Sequence, residues 1–282
     1  MTGFSRTQEI VHDIGATGRF VLRVTSADIE VRRTDGDTVR VAVQFDIRAS
    51  DEPEADRIFE EAKFRVQAAG GSLEITEPER EEGGGLGALA RLLGDRRSRP
   101  SAEMVVAEVP ERANVTVAGV SADLVVSGLS GSQHYRTVSG DAVLNDVSGA
   151  IQVGSVSGEI SLRGVGPIVL RANTVSGDLI AFASRLERTR VVTVSGDVEL
   201  EGELAPDGEH RIETVSGDLG LGAVNGMTLE VRGLSSDVSI SLPHRSEGTR
   251  DRRRYVIGDG GARLLFSSMS GDVRVGLSLI HI

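Results

Sequence analysis

Thr174-Val175-Ser176-Gly177-Asp178-Leu179 returns as Thr193-Val194-Ser195-Gly196-Asp197-Val198 and again as Thr214-Val215-Ser216-Gly217-Asp218-Leu219. Working outward, the core of this unit, apolar-Ser-Gly-Asp-apolar, extends to Val138-Ser139-Gly140-Asp141-Ala142, Val156-Ser157-Gly158-Glu159-Ile160 and Met269-Ser270-Gly271-Asp272-Val273. It also extends, without the glycine, to Val120-Ser121-Ala122-Asp123-Leu124 and Leu234-Ser235-Ser236-Asp237-Val238. The eight serines are spaced 18, 18, 19, 19, 21, 19 and 35 residues apart. So steady a period marks a repeat architecture in which each unit buries its apolar face only by stacking on its neighbours.

A fainter copy lies at half period. Ser130-Gly131, Ser148-Gly149 and Gly166-Pro167 each follow a motif serine by 9 residues. Each unit therefore holds two short strands and two turns. The excess in the last gap fits a surface loop inserted at 243–258, which carries Arg250, Arg252, Arg253 and Arg254. After each motif the residues alternate. The pairs Leu124/Val126, Ala142/Leu144, Ile160/Leu162, Leu179/Ala181, Val198/Leu200, Leu219/Leu221, Val238/Ile240 and Val273/Val275 fall on one face, and all are aliphatic. The intervening Val125, Val143, Ser161, Ile180, Glu199, Gly220, Ser239 and Arg274 are mixed. A period of two with one apolar face is a strand signal. Units stacked about 4.8 Å apart would form parallel ladders. The expected fold is all-β, a parallel β-solenoid or β-helix, single-stranded and right-handed, with a thin aliphatic core that leaves little room for Trp or Tyr.

Composition removes several functions. With no Cys in 282 residues there is no disulfide framework, thiolate metal site or cysteine nucleophile. A net charge of −11 argues against a general phosphate-binding surface, and hence against nucleic acid as a partner. Two Tyr, seven Phe and no Trp make a poor platform for stacking sugars or bases.

The T-V-S-G-D units at Thr174–Leu179, Thr193–Val198 and Thr214–Leu219 resemble the bacterial "putative adhesin" β-strand-repeat family, a domain family of unknown function; the resemblance covers roughly residues 18–277. It implies a parallel β-helix-like fold and a binding or scaffold role. The family offers no agreed catalytic residues to carry over. The chain departs from a cell-surface adhesin in showing no leader or anchor: residues 1–20 have neither a basic start nor an apolar core, and no run reaches the ~18 apolar residues of a membrane span. The expected location is the cytoplasm. Ser278-Leu279-Ile280-His281-Ile282 reads as a translated sequencing-adapter scar, which would leave the true C-terminus missing.

Residues 1–77 read as a β-rich N-terminal section that caps the solenoid. Ser26-Ala27-Asp28-Ile29-Glu30-Val31 is a degenerate repeat, and residues 39–45 alternate as a strand. Asp51 or Ser50 can cap a short helix with Pro53 in its first turn and Ala55, Ile58, Phe59 and Ala62 on one face. Strands follow at 64–67 and 72–76. Residues 78–103 read as a Gly- and Arg-rich loop or linker, and 104–277 as the repeat domain. Gly85-Leu86-Gly87-Ala88-Leu89-Ala90 fits a G-x-G-x-x-A fingerprint, but no strand precedes it and no βαβ unit surrounds it. The stretch 86–99, with Arg91, Arg96, Arg97 and Arg99, could instead touch an anionic membrane surface.

The sharpest chemical candidate is the acidic column Asp123, Asp141, Glu159, Asp178, Asp197, Asp218 and Asp237. Stacked like charges repel unless something offsets them. Calcium is one possibility; the others are that the carboxylates cap backbone amides at the corner or point into solvent. The half-period copies lack the Asp that a calcium β-roll needs. His12, His134, His210, His244 and His281 share no metal-binding spacing, and Gly154-Ser155-Val156-Ser157-Gly158 is no nucleophile elbow. Tyr135 and Tyr255 are too few for a sugar cleft. No catalytic, cofactor-binding or metal-ligating residue is assigned and no cofactor is expected. The leading reading is a non-catalytic adhesin-like binding or scaffold module. The alternatives are a calcium-binding β-roll-like protein and a carbohydrate-active β-helix enzyme. A protein partner or self-association would use a solenoid face. Outward Val125, Val143 and Ile180 form a candidate stripe, covered either by such a partner or by the N-terminal helix through Ile58 and Phe59.

Overall fold

The computed structural model describes residues 2–78, 101–233, 236–249 and 252–277. Its N-terminal strands are β1 (Thr2–Asp13), β2 (Arg19–Arg23), β3 (Asp28–Thr34) and β4 (Thr38–Ala49). Helix α1 (Glu52–Ala62) follows, then β5 (Arg65–Ala69) and β6 (Ser72–Thr76). The repeat region continues with β7 (Ser101–Pro110), β8 (Asn114–Ala118), β9 (Leu124–Ser127), β10 (Ser132–Arg136), β11 (Ala142–Gly154), β12 (Ile160–Asn173) and β13 (Leu179–Val192). Then come β14 (Val198–Leu204), β15 (His210–Glu213), β16 (Leu219–Ala223), β17 (Met227–Gly233) and β18 (Val238–Ile240). The last are β19 (His244–Thr249), β20 (Arg252–Ile257), β21 (Ala262–Ser268) and β22 (Val273–Leu277).

The strands pair as two ladders. The first runs β1, β4, β7, β3, β9, β11, β12, β13, β14, β16, β22, β18. The second runs β5, β6, β2, β8, β10, β11, β12, β13, β15, β21, β17, β20, β19. The long strands β11, β12 and β13 belong to both and bend from one ladder into the other. The sheet stays open at both ends. Each motif is the corner that carries the chain from the second ladder to the first, so the motifs stack in one column. The expected inward pairs from Leu124/Val126 to Leu221 are buried, as are Val273 and Val275, all in one aliphatic cluster.

Three expectations need correction. The rungs do not stack in sequence order. The eighth copy lies between the sixth and the seventh: β22 pairs β16 on one side and β18 on the other, and β21 likewise separates β15 from β17. The cause is the segment 243–258, which is not a loose loop. It forms the antiparallel hairpin β19–β20, and β20 lies antiparallel along the outer edge of β17. A turn with Gly258 and Gly260 at positive φ (60° and 74°) then returns the chain to the inner edge of β17. As a result β18 of the seventh rung becomes the edge of the first ladder, and its Val238 and Ile240 are only half-buried. Nor is the interior closed to aromatics: Tyr135, Phe20, Phe45 and Phe266 are among the largest fully buried side chains.

The N-terminal end is interleaved the same way. β2 sits between β6 and β8, and β3 between β7 and β9. Outside them, β4 and β1 pair antiparallel, as does β5. Asp51 caps α1 by accepting from the Glu54 amide, and α1 packs on β1 and β4. There Phe59 meets Phe45 edge-on at 5.4 Å, and Arg6 bridges Glu52 and Asp56. Thus α1 closes the end of the stack rather than lying over Val125, Val143 and Ile180. Residues 86–99, the fingerprint at 85–90 and the segment 278–282 lie outside the described residues. No helix among the described residues is long and apolar enough to cross a membrane.

Insertion of the last rung has a direct consequence for hydrogen exchange. The Val275 amide sits between two paired strands and is expected to exchange as slowly as that of Leu200, whereas the edge amide of Ile240 exchanges orders of magnitude faster. Equal protection at 240 and 275 would contradict the strand order.

Candidate functional site

The repeated motif is the natural place to look for chemistry, and its groups are engaged with the next rung. The Thr hydroxyl is buried and accepts from the glycine amide three residues on: Thr137 from Gly140 at 3.0 Å, Thr174 from Gly177 at 3.0 Å, Thr193 from Gly196 at 3.0 Å and Thr214 from Gly217 at 2.8 Å. Ser155 and Ser268 do the same for Gly158 and Gly271. The motif serine donates its amide and its hydroxyl to the carbonyl of the apolar residue one rung below, as Ser139 does to Val120 at 3.0 and 3.3 Å. The glycine has no room for a side chain: a Cβ on Gly177, Gly196 or Gly217 would stand 2.0 Å from the carbonyl oxygen of the glycine beneath it.

The acidic column follows the same logic. Asp123 Oδ1 accepts the Asp141 amide at 3.0 Å, and Asp141 accepts that of Glu159 at 2.8 Å. Asp178 accepts from Asp197, Asp197 from Asp218, Asp218 from Asp272, and Asp272 from Asp237, at 2.8–2.9 Å. An amide dipole on each carboxylate offsets the like-charge stacking. Among the described residues no group of three His, Asp or Glu side chains is placed to hold a metal ion.

The histidines lie far apart in the pairing scheme. His12 bonds to the Gly70 carbonyl, and His244 meets Tyr255 edge-on. His210 is buried, with Nδ1 3.3 Å from Thr189 Oγ1 and Nε2 3.1 Å from the Ala205 carbonyl. His134 faces outward beside Gln152. His281 lies outside the described residues. Burial pushes the pKa of His210 down, and burial followed by the charge of Arg136 does so for His134. Tyr135, far from facing a ligand, donates to Gln133 inside the core at 3.1 Å.

Three surface features remain. The apolar residue of each corner, Val120, Val138, Val156, Val175, Val194, Val215 and Met269, stands 43–57% exposed and forms a ridge along the stack. Of the outward stripe, Val125 is exposed, Val143 and Ile180 are half-buried, and Ser161 interrupts it. Second, outward Gly220, Gly222 and Gly276 carry no side chains, leaving an open trough of about 520 Å³ bounded by Phe182, Glu199, Glu201 and Arg274. Arg274 reaches Asp218 at 3.3 Å. Both glutamates rise from β14, so they line one wall and do not face each other across a bound bond as paired hydrolytic carboxylates do. Third, on the outer face of the second ladder, Arg171, Arg190 and Arg211 oppose one another on consecutive rungs. Sequence reasoning passed over this row, although its spacing follows the repeat period.

A coil of short rungs locked at one corner by Thr, Ser, Gly and Asp defines a repeat module of the β-solenoid class. The chain belongs to the Toastrack DUF4097 family, which it matches over residues 18–276. No curated protein matches the sequence. Solved structures similar to it include a "putative adhesin" of Bacteroides fragilis, at 10% identity and TM-score 0.44 over 96% of this chain and 97% of that one. A "putative lipid binding protein" of Parabacteroides distasonis matches at 13% identity and TM-score 0.42, over 96% of each chain. A "putative cell adhesion protein" of Clostridium sporogenes matches at 9% identity and TM-score 0.26, over 96% and 99%.

Replacing Thr193 by Val keeps the shape and leaves the Gly196 amide without its acceptor, so urea denaturation is expected to show a loss of about 1–3 kcal/mol. Ser195→Ala, at an exposed hydroxyl, stays within about 0.5 kcal/mol of the parent chain. Equal effects would contradict the division of roles. Because burial lowers the folded-state pKa of His210 and His134, the unfolded chain binds the extra protons. Their stabilising contribution is complete above the unfolded value of about 6.5 and is lost as the pH falls from there toward the lowered folded-state values. The melting temperature is expected to drop between about pH 7 and pH 5.5, and His210→Gln flattens that drop; an unchanged slope would show His210 to be solvated.

Proposed function

We propose that this chain is a non-catalytic binding or scaffold module, a right-handed parallel β-solenoid that engages a polymeric or macromolecular partner along an outer face. The right hand is the one that parallel crossovers adopt. The observation that carries the reading is the use of the repeat's hydroxyls and carboxylates in rung-to-rung hydrogen bonds, which leaves no nucleophile, base and orienting group converging at one place among the described residues. The calcium-roll alternative finds no support at the corner, where a backbone amide occupies the Oδ1 of Asp123, Asp141, Asp178, Asp197, Asp218 and Asp272. The carbohydrate-active alternative finds two carboxylates on one wall of an open trough. A rigid rod with repeating faces suits extended contact better than enclosure of a small molecule.

The test incubates the immobilised chain with a panel of polysaccharides and envelope proteins, and the chain lengths of the recovered polymers are measured. Saturable retention of a partner with no shortening, and no dependence on added calcium, is the expected result. Depolymerisation of any member of the panel, or retention only with calcium, would overturn the proposal.

A further inference from the structure

The arginine row on the second ladder runs against the charge pattern around it. Arg171, Arg190 and Arg211 stand at directly opposed positions of adjacent parallel strands, so their charges repeat at the strand spacing of about 4.8 Å. Arg188, two residues before Arg190, projects from the same face. Like charges directly opposed across strands destabilise a sheet. One carboxylate answers the row: Glu213 lies 2.6 Å from Arg211 and 3.8 Å from Arg190. Among the described residues no ion pair reaches Arg171 or Arg188. The Arg211 Nε is buried without a hydrogen-bond partner. Several outward arginines elsewhere are matched, Arg32 by Glu30, Arg185 by Glu187 and Glu203, and Arg263 by Glu230. In a chain of net charge −11 the strip thus sets four arginines, Arg171, Arg188, Arg190 and Arg211, against one ion-pairing carboxylate. The strip continues through Gln152 and His134, which bring hydrogen-bonding groups without negative charge.

We infer that this row binds a linear acidic polysaccharide laid along the long axis of the stack, an inference that rests on the binding-module reading and names its ligand class. Guanidinium groups take carboxylates and sulfates through two parallel hydrogen bonds. A row with one arginine per rung presents such forks at a constant interval to an extended chain bearing one anion every residue or two. The strip is one residue wide, with Glu209 and Glu213 at its side. That geometry accepts a thin polyanion and disfavours an anionic bilayer, which would also face the negative charge around it. No aromatic side chain stands in the row to stack bases, since Tyr135 of the same ladder points into the core.

The probe is immobilised polygalacturonate, with dextran, phosphatidylserine vesicles and single-stranded DNA as comparators. The full chain is expected to be retained on polygalacturonate at low salt and released as salt screens the contact, with no retention on dextran. Arg171→Gln with Arg190→Gln is expected to weaken retention about tenfold or more while the melting temperature holds or rises, because the repulsion has been relieved. Arg32→Gln with Arg33→Gln removes the same charge from positions matched by Glu30 and by Asp35 and Glu111, and leaves retention unchanged. No retention of the full chain, equal loss in both double variants, or binding to vesicles or DNA in place of polygalacturonate would overturn the inference. If polygalacturonate is retained equally by the Arg171/Arg190 variant, the row is refuted and the binding-module reading stands; if the polymer is shortened, that reading itself fails.

Discussion

At the corners of the central rungs a glycine rests against the carbonyl oxygen of the glycine one rung below, closer than any Cβ would allow. That contact sets the pitch of the coil at its tightest point. Once two corners meet this closely, their hydrogen bonds follow. Threonine closes the turn within its own rung, serine reaches the rung below, and aspartate accepts the amide of the rung above. The aliphatic residues after the corner then fall into the interior because the strand leaves it in a fixed phase. Hydrophobic burial supplies most of the driving force, but the corner decides which residues are buried.

This division explains how much was legible in the sequence. The motif and its spacing revealed the repeat, the inward pairs and the stacking of the acidic column, because each is a local pattern copied at constant period; that each carboxylate accepts the amide of the next rung was one of several readings left open. Asp51, Pro53 and the spacing of Ala55, Ile58 and Phe59 revealed α1 in the same way. The order of the rungs was not legible. The eighth copy matches its neighbours as well at one position in the stack as at another, so its place depends on the path of 243–258. That path is set by pairing between distant segments, with β20 running along β17. The fate of the N-terminal helix was hidden for the same reason: an apolar face on α1 says that something is covered, and only the closing strands β1 and β4 say what.

The surface was read least well. Val125, Val143 and Ile180 stand out in the sequence because they are apolar where other rungs are polar, yet Val143 and Ile180 are half-buried by their neighbours. The arginines at 171, 190 and 211 looked unremarkable one at a time. They become a feature only when the strands after the half-period turns are aligned at 19- and 21-residue spacing. In a solenoid, residues one period apart are neighbours, so its functional surface is written down columns rather than along the chain. The trough floored by Gly220, Gly222 and Gly276 arises likewise, from glycines on two strands brought side by side.

The claim on which everything else rests is that corner-locked rungs stack with the last inserted before the seventh. The chain has no cysteine, so paired cysteines report neighbours cleanly. Glu213 and Ser267 oppose each other on adjacent strands, and Ser267 separates Glu213 from Arg232. With Cα atoms roughly 4.8 Å apart, within disulfide reach, Glu213→Cys with Ser267→Cys is expected to oxidise to an intramolecular disulfide. Glu213→Cys with Arg232→Cys, two rungs apart, is expected to stay reduced. Ready closure of the 213–232 pair, with 213–267 left open, would put the rungs in sequence order and contradict the structure.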